Sequence, residues 1–147
     1  MLLIFCGPVT AFAQGRQPLA TRIASDDGGR AGDVIAEAAR WIGSGNITGK
    51  PGPWRASFAN FVLRRTGRPP LGNDIVSSAL GYGKRLSGPR VGALAVLSTR
   101  RGCAGHAGFV AGVNADDSIR LISGNWGRRV ADATISQRQV VAFVEVR

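Results

Sequence analysis

Apolar residues recur along this chain with two different periods. Behind Asp33, a residue able to cap a helix start, Val34, Ile35, Ala38 and Trp41 or Ile42 fall at helical spacing. The turn formers of "GSGNITGKPGP" end that run at 43–53. A second helical face follows in Trp54, Phe58, Phe61 and Val62, spaced i, i+4, i+7 and i+8, and Gly67, Pro69 and Pro70 stop it. A shorter helix is expected from Asn73 to Tyr82. Beyond Pro89 the pattern shortens to strands: "VGALAVLST", "GHAGFVAGV", "SIRLISGN" and "VVAFVEV" are rich in β-branched or apolar residues and bounded by Gly, Asn or Asp. Helices first and strands afterwards predict an α+β fold, N-terminal helices packed on an antiparallel β-sheet.

The chain has 147 residues, enough for one domain with a real core, expected over 33–147. Residues 14–32, rich in Gly, Arg, Ser and Asp without an apolar period, read as a flexible lead-in. The opening "MLLIFCGPVTAFAQG" ends its apolar run in Ala11-Phe12-Ala13, a small-x-small cleavage pattern, so residues 1–13 are expected to be an export signal. The run is too short to span a bilayer, and no transmembrane segment is expected in the mature chain. Phe5 argues against lipid attachment at Cys6, since a small residue is wanted there. Cleavage leaves one cysteine, Cys103, and therefore no internal disulfide.

Nineteen Lys and Arg against nine Asp and Glu give a formal net charge of +10, all of it beyond the expected signal. Such a surface favours polyanions, and for an exported protein, periplasmic or extracellular, the anionic partner is an envelope component rather than nucleic acid. The pairs Arg64-Arg65, Arg100-Arg101 and Arg128-Arg129 are scattered, with no aromatic-rich RNA motif between them. A basic nucleic-acid-binding domain rests on charge alone and ranks last.

His106, the single histidine, opens the strand "GHAGFVAGV". If "NADD" at 114–117 connects that strand to the next as a regular hairpin, Val113 faces Ser118 and antiparallel counting brings Asn125 opposite His106. Directly opposed residues have Cβ atoms roughly 4.5–5.5 Å apart. The Asn125 amide then orients one imidazole nitrogen and leaves the other free to act as a base. This inference assumes no bulge in either strand. A nucleophile for such a base is expected at a helix N-terminus, where free N–H groups and the dipole activate a thiol and hold an oxyanion.

The segments "GPWRASFANFVLRRTG", "GPRVGALAVLS", "GHAGFVAGV" and "LISGNWGRRV", in this order, resemble the signatures of the CHAP family, the cysteine- and histidine-dependent amidohydrolase/peptidases. The resemblance extends from about Asp33 to Arg147. It implies a papain-like (NlpC/CHAP-type) α+β fold and cleavage of amide bonds, typically in peptidoglycan, with no metal or other cofactor. His106 matches the family's base and Asn125 its orienting residue. The family's Trp-Cys-Ala is Trp54-Arg55-Ala56 here, so Arg55 stands at the nucleophile position. A guanidinium forms no acyl-enzyme and stays charged. Ala93 and Ser123 also depart from the family pattern, Ser123 standing where many members carry an acidic residue.

Cys103, three residues before His106, lacks the helix N-terminus and reads as an ordinary loop residue; Ser57 reads as a first-turn serine bonding backbone. Cys103 and His106 do not suffice for a metal site. Trp54 is expected in the core. Trp126 is a candidate groove wall, with Arg128 and Arg129 beside it to meet carboxylates of a peptide stem. Two readings follow: a peptidoglycan amidase or endopeptidase scaffold impaired by Arg55, and a non-catalytic module that binds peptidoglycan or an envelope partner.

Overall fold

A computed structural model describes residues 30–99 and 104–147. The expected export signal, the lead-in up to residue 29 and Cys103 lie outside the described residues.

Helix α1 spans Arg30–Ala39 and buries Val34, Ile35 and Ala38 completely. Asp33, expected as the cap, lies inside the first turn instead, where its charge still meets the positive end of the helix dipole. Trp41 and Ile42 fall in the turn beyond the helix. Helix α2 spans Arg55–Arg65, with Trp54 at the N-cap position. Its buried face carries Phe58, Ala59, Val62 and Leu63. The two helices are tied by the buried Glu37 of α1, which accepts hydrogen bonds from Trp41 Nε1 at 3.0 Å and from the Arg65 guanidinium.

The helix expected over 73–82 is a single 3₁₀ segment, Val76–Gly81. Asn73 accounts for the shortening, because its Oδ1 accepts from Ile75 N and Ser78 Oγ and so draws the backbone into a local turn.

Six strands form one sheet among the described residues: β1 Arg85–Leu86, β2 Leu94–Ser98, β3 Ala104–Val113, β4 Ile119–Trp126, β5 Arg129–Ile135 and β6 Val140–Val144. Their order is β1-β6-β2-β3-β4-β5, and neighbours are antiparallel throughout. The α+β expectation therefore holds. One face of the sheet packs under the helices, where Leu94, Val96, Ala107, Phe109 and Ile122 join the main core. The opposite face carries a second apolar cluster of Ala95, Leu97, Val110, Ile119, Leu121, Ile135 and Phe143.

Strands β1 and β5 were not foreseen from the sequence. β5 reads RVADATI, whose Ala and Asp dilute the strand pattern, and its hairpin with β4 turns through Gly127-Arg128. Both turn residues have positive φ, 59° and 67°, as a type I′ turn requires. Arginine is not a residue that signals such a turn. Part of β5 is covered by the α1–α2 loop: Gly43 N donates to Val130 O and Val130 N donates to Ser44 O, each at 2.8 Å.

Candidate active site

The start of α2 meets the sheet at β4. Gly124 permits this: a Cβ there would stand 2.4 Å from Phe58 Cβ and 2.7 Å from Trp54 Cζ3. Trp54 is buried, packs edge-on to Phe58 and fills core, as expected from the sequence. It presents Arg55 as the first residue of α2. The helix start has no side-chain cap and no acidic residue in its first turn. Its free N–H groups therefore keep their affinity for negative charge. Arg55 Nε is buried without a hydrogen-bond partner.

His106 lies on β3 opposite Leu97 of β2. The pleat places it with Gly108 and Val110, on the face of the second cluster rather than under the helices. Its Nε2 lies 2.8 Å from Ser123 Oγ, and Ser123 is fully buried. Gly108 keeps this contact open, because a Cβ at that position would stand 2.7 Å from Ser123 Cβ. The Trp126 ring meets the imidazole edge to face, with centroids 5.0 Å apart. Burial, and secondarily the Arg55 charge, push the His106 pKa down to about 4. The imidazole is consequently neutral at physiological pH.

The hairpin is not regular, and two bulges set the final alignment. Val113 pairs with Ile119 rather than with Ser118, and a shift between Val110 and Gly112 then brings Phe109 opposite Ile122. A second irregularity lies between Ser123 and Trp126, where β4 carries one residue more than β5. Asn125 sits in that bulge with φ 58°. The expected facing of His106 and Asn125 assumed regular strands. In the structure, the hydrogen bond of the ring runs to Ser123, and the bulge returns Trp126 to the histidine side. The sequence did flag Ser123, as the place where many relatives carry an acid.

The other candidates separate. Ser57 is buried in the first turn of α2, close enough to Asp74 to add slightly to the lowering of that carboxyl's pKa. Arg129 donates from Nη1 to Gly43 O at 2.8 Å, which helps hold the loop over β5. Arg128 is exposed on the turn, close in sequence to the half-buried Trp126. Cys103 lies outside the described residues.

The site thus gathers a neutral imidazole with an oriented nitrogen, an indole wall and a guanidinium at an uncapped helix start. The side chain presented at that helix start is a guanidinium rather than a thiol. The sequence model of the CHAP domain family matches residues 19–125, a span that includes Arg55, His106, Ser123 and Asn125 and stops before Trp126. No curated protein matches the chain.

Proposed function

The chain belongs to the CHAP domain family, whose fold is papain-like, and from that premise we propose that it is a peptidoglycan amidase or endopeptidase scaffold whose hydrolytic step is disabled by Arg55. The observation that carries this reading is the joint placement of His106 on Ser123 and of Arg55 at the start of α2. With a cysteine at 55, the thiolate would attack the amide carbon and the α2 N–H groups would hold the oxyanion. His106, having taken the proton of the thiol, would pass it to the departing amine as the C–N bond breaks, and would then take a proton from the water that hydrolyses the thioester and return it to the sulfur. Ser123, with Asn125 in the adjoining bulge, orients the imidazole. Arg55 removes the nucleophile and adds a charge that disfavours imidazolium.

Export to the periplasm or the cell exterior belongs to the same proposal, since peptidoglycan lies outside the cytoplasmic membrane. Among the described residues no helix is long and apolar enough to cross a membrane.

A second reading, a non-catalytic module that holds wall peptides, draws support from the orphaned Arg55 Nε at an uncapped helix start. A buried donor without a partner costs about 1–3 kcal/mol, and a carboxylate of a peptide stem would relieve it. Trp126 and Arg128 would flank such a ligand.

The test is release of peptide or amino-sugar ends from purified peptidoglycan by the mature protein, Arg55→Cys and Arg55→Cys/His106→Ala. Activity only in Arg55→Cys is the expected result. Turnover by the unaltered protein would refute the disabled-site reading. Inactivity of all three, with retained binding to wall fragments, would favour the binding module.

A further inference from the structure

The outer surface where α1 and α2 meet presents two aromatic rings among arginines. Trp41, in the turn after α1, and Phe61, on α2, stand edge to face with centroids 5.2 Å apart, and both are half-buried. The Arg65 guanidinium lies over both rings, 5.8 Å from the Trp41 centroid and 5.6 Å from that of Phe61. Ile42, next along the turn, is 42% exposed. Arg64, one turn past Phe61 on the helix surface, is exposed as well.

The positive charge of this patch points outward and its negative charge does not. Glu37 accepts from Arg65 and lies 3.7 Å from Arg40, but its side chain is only 10% exposed, against 46% for Arg65 and 70% for Arg40. With Arg64, three guanidinium groups stand over one covered carboxylate. Indole rings settle at the headgroup level of a bilayer, and arginines beside them meet lipid phosphates. A sugar or a nucleobase would instead stack on an aromatic face, and here Arg65 lies over both rings. The exposed Ile42 adds an apolar contact suited to the boundary of the acyl chains.

We propose that this patch docks the protein on an anionic bilayer surface, with Arg40, Arg64 and Arg65 on lipid phosphates and Trp41 and Ile42 at the level of the headgroups. Guanidinium groups bind phosphate oxygens through paired N–H donors. Each basic side chain brought to such a surface strengthens partitioning by about fivefold, and salt screens that contribution but not the apolar one. Arg55 and Arg65 are the first and last residues of α2, about 15 Å apart along its axis, so the patch lies away from the His106 site. This inference does not depend on the peptidoglycan reading and involves none of its residues.

The test is co-sedimentation of the full chain with phosphatidylcholine vesicles containing about 30% phosphatidylglycerol, at about 0.1 M salt. Every variant keeps residues 1–13, so differences between variants report the patch. Arg40→Gln/Arg64→Gln should weaken partitioning about tenfold or more. Arg85→Gln/Arg138→Gln, which removes equal charge from exposed positions on β1 and before β6, should weaken it by less than about threefold. Ile42→Ser should weaken the part of the binding that survives at about 0.5 M salt. Unchanged urea unfolding midpoints establish that the variants are folded. Equal loss in the two double variants would reduce the effect to general charge attraction and overturn the proposal, as would failure of the unaltered protein to bind. On phosphatidylcholine alone the double variants should match the unaltered protein, and a loss there by Arg40→Gln/Arg64→Gln would overturn the anionic-lipid assignment. Patch-dependent binding of polyglutamate without binding of vesicles would overturn it in favour of an acidic protein partner.

Discussion

At the residue scale, His106 is the most informative group, because it is the single histidine and its imidazole resonance needs no assignment. Its NMR titration midpoint should fall at about 4, well below the ordinary 6.5. Arg55→Gln should raise it while leaving it below 6.5, because burial is the larger cause and the arginine the smaller. A midpoint unmoved by that substitution would place Arg55 too far away to act on the site. The shift also bears on stability. Between pH 6.5 and 4 the unfolded chain binds a proton at this residue that the folded chain refuses, so stability falls on acidification across that window. The loss is roughly 3 kcal/mol and complete below pH 4. Urea unfolding as a function of pH should show a smaller fall in His106→Gln.

At the element scale, the site depends on how closely α2 approaches β4. Gly124→Ala should cost about 1–3 kcal/mol in urea unfolding, because a methyl group cannot fit between the strand and the Phe58 and Trp54 side chains. The junction of α1 and α2 is polar. Burial alone would raise the Glu37 pKa, yet the Trp41 and Arg65 hydrogen bonds and the charges of Arg65 and Arg40 hold it below the ordinary carboxylate value. Glu37→Gln should cost about 1–2 kcal/mol by the same measurement, the half-exposed Arg65 limiting the effect. Both helices, and strands β2, β3, β4 and β6, were legible as apolar periods. β5 was not, since its alternating residues include Ala and Asp and it is held in place by the Gly127-Arg128 turn and by backbone bonds to Gly43 and Ser44.

For the whole molecule, the net charge of +10 and the site would make separable contributions to the peptidoglycan binding proposed above. Retention on peptidoglycan should weaken as salt rises from about 0.05 to 0.5 M, because exposed charges are screened, but should not vanish if the groove contributes. Arg128→Ala/Arg129→Ala should reduce retention further at high salt. Complete release of the unaltered protein by salt would leave only charge attraction. Arg129 also supports the loop at Gly43, so Arg128→Ala alone is the cleaner probe of ligand contact.

By itself, the sequence determined that helices precede strands, the family, the candidacy of His106 and the presence of a guanidinium at the helix start that follows Trp54. Each of these depends on residue type or on a period that survives small errors of alignment. Only the tertiary structure decided that His106 meets Ser123, that Asn125 lies in a bulge and that Trp126 stands against the imidazole. A bulge adds one residue, and because strand side chains alternate, that single residue exchanges the faces of everything beyond it.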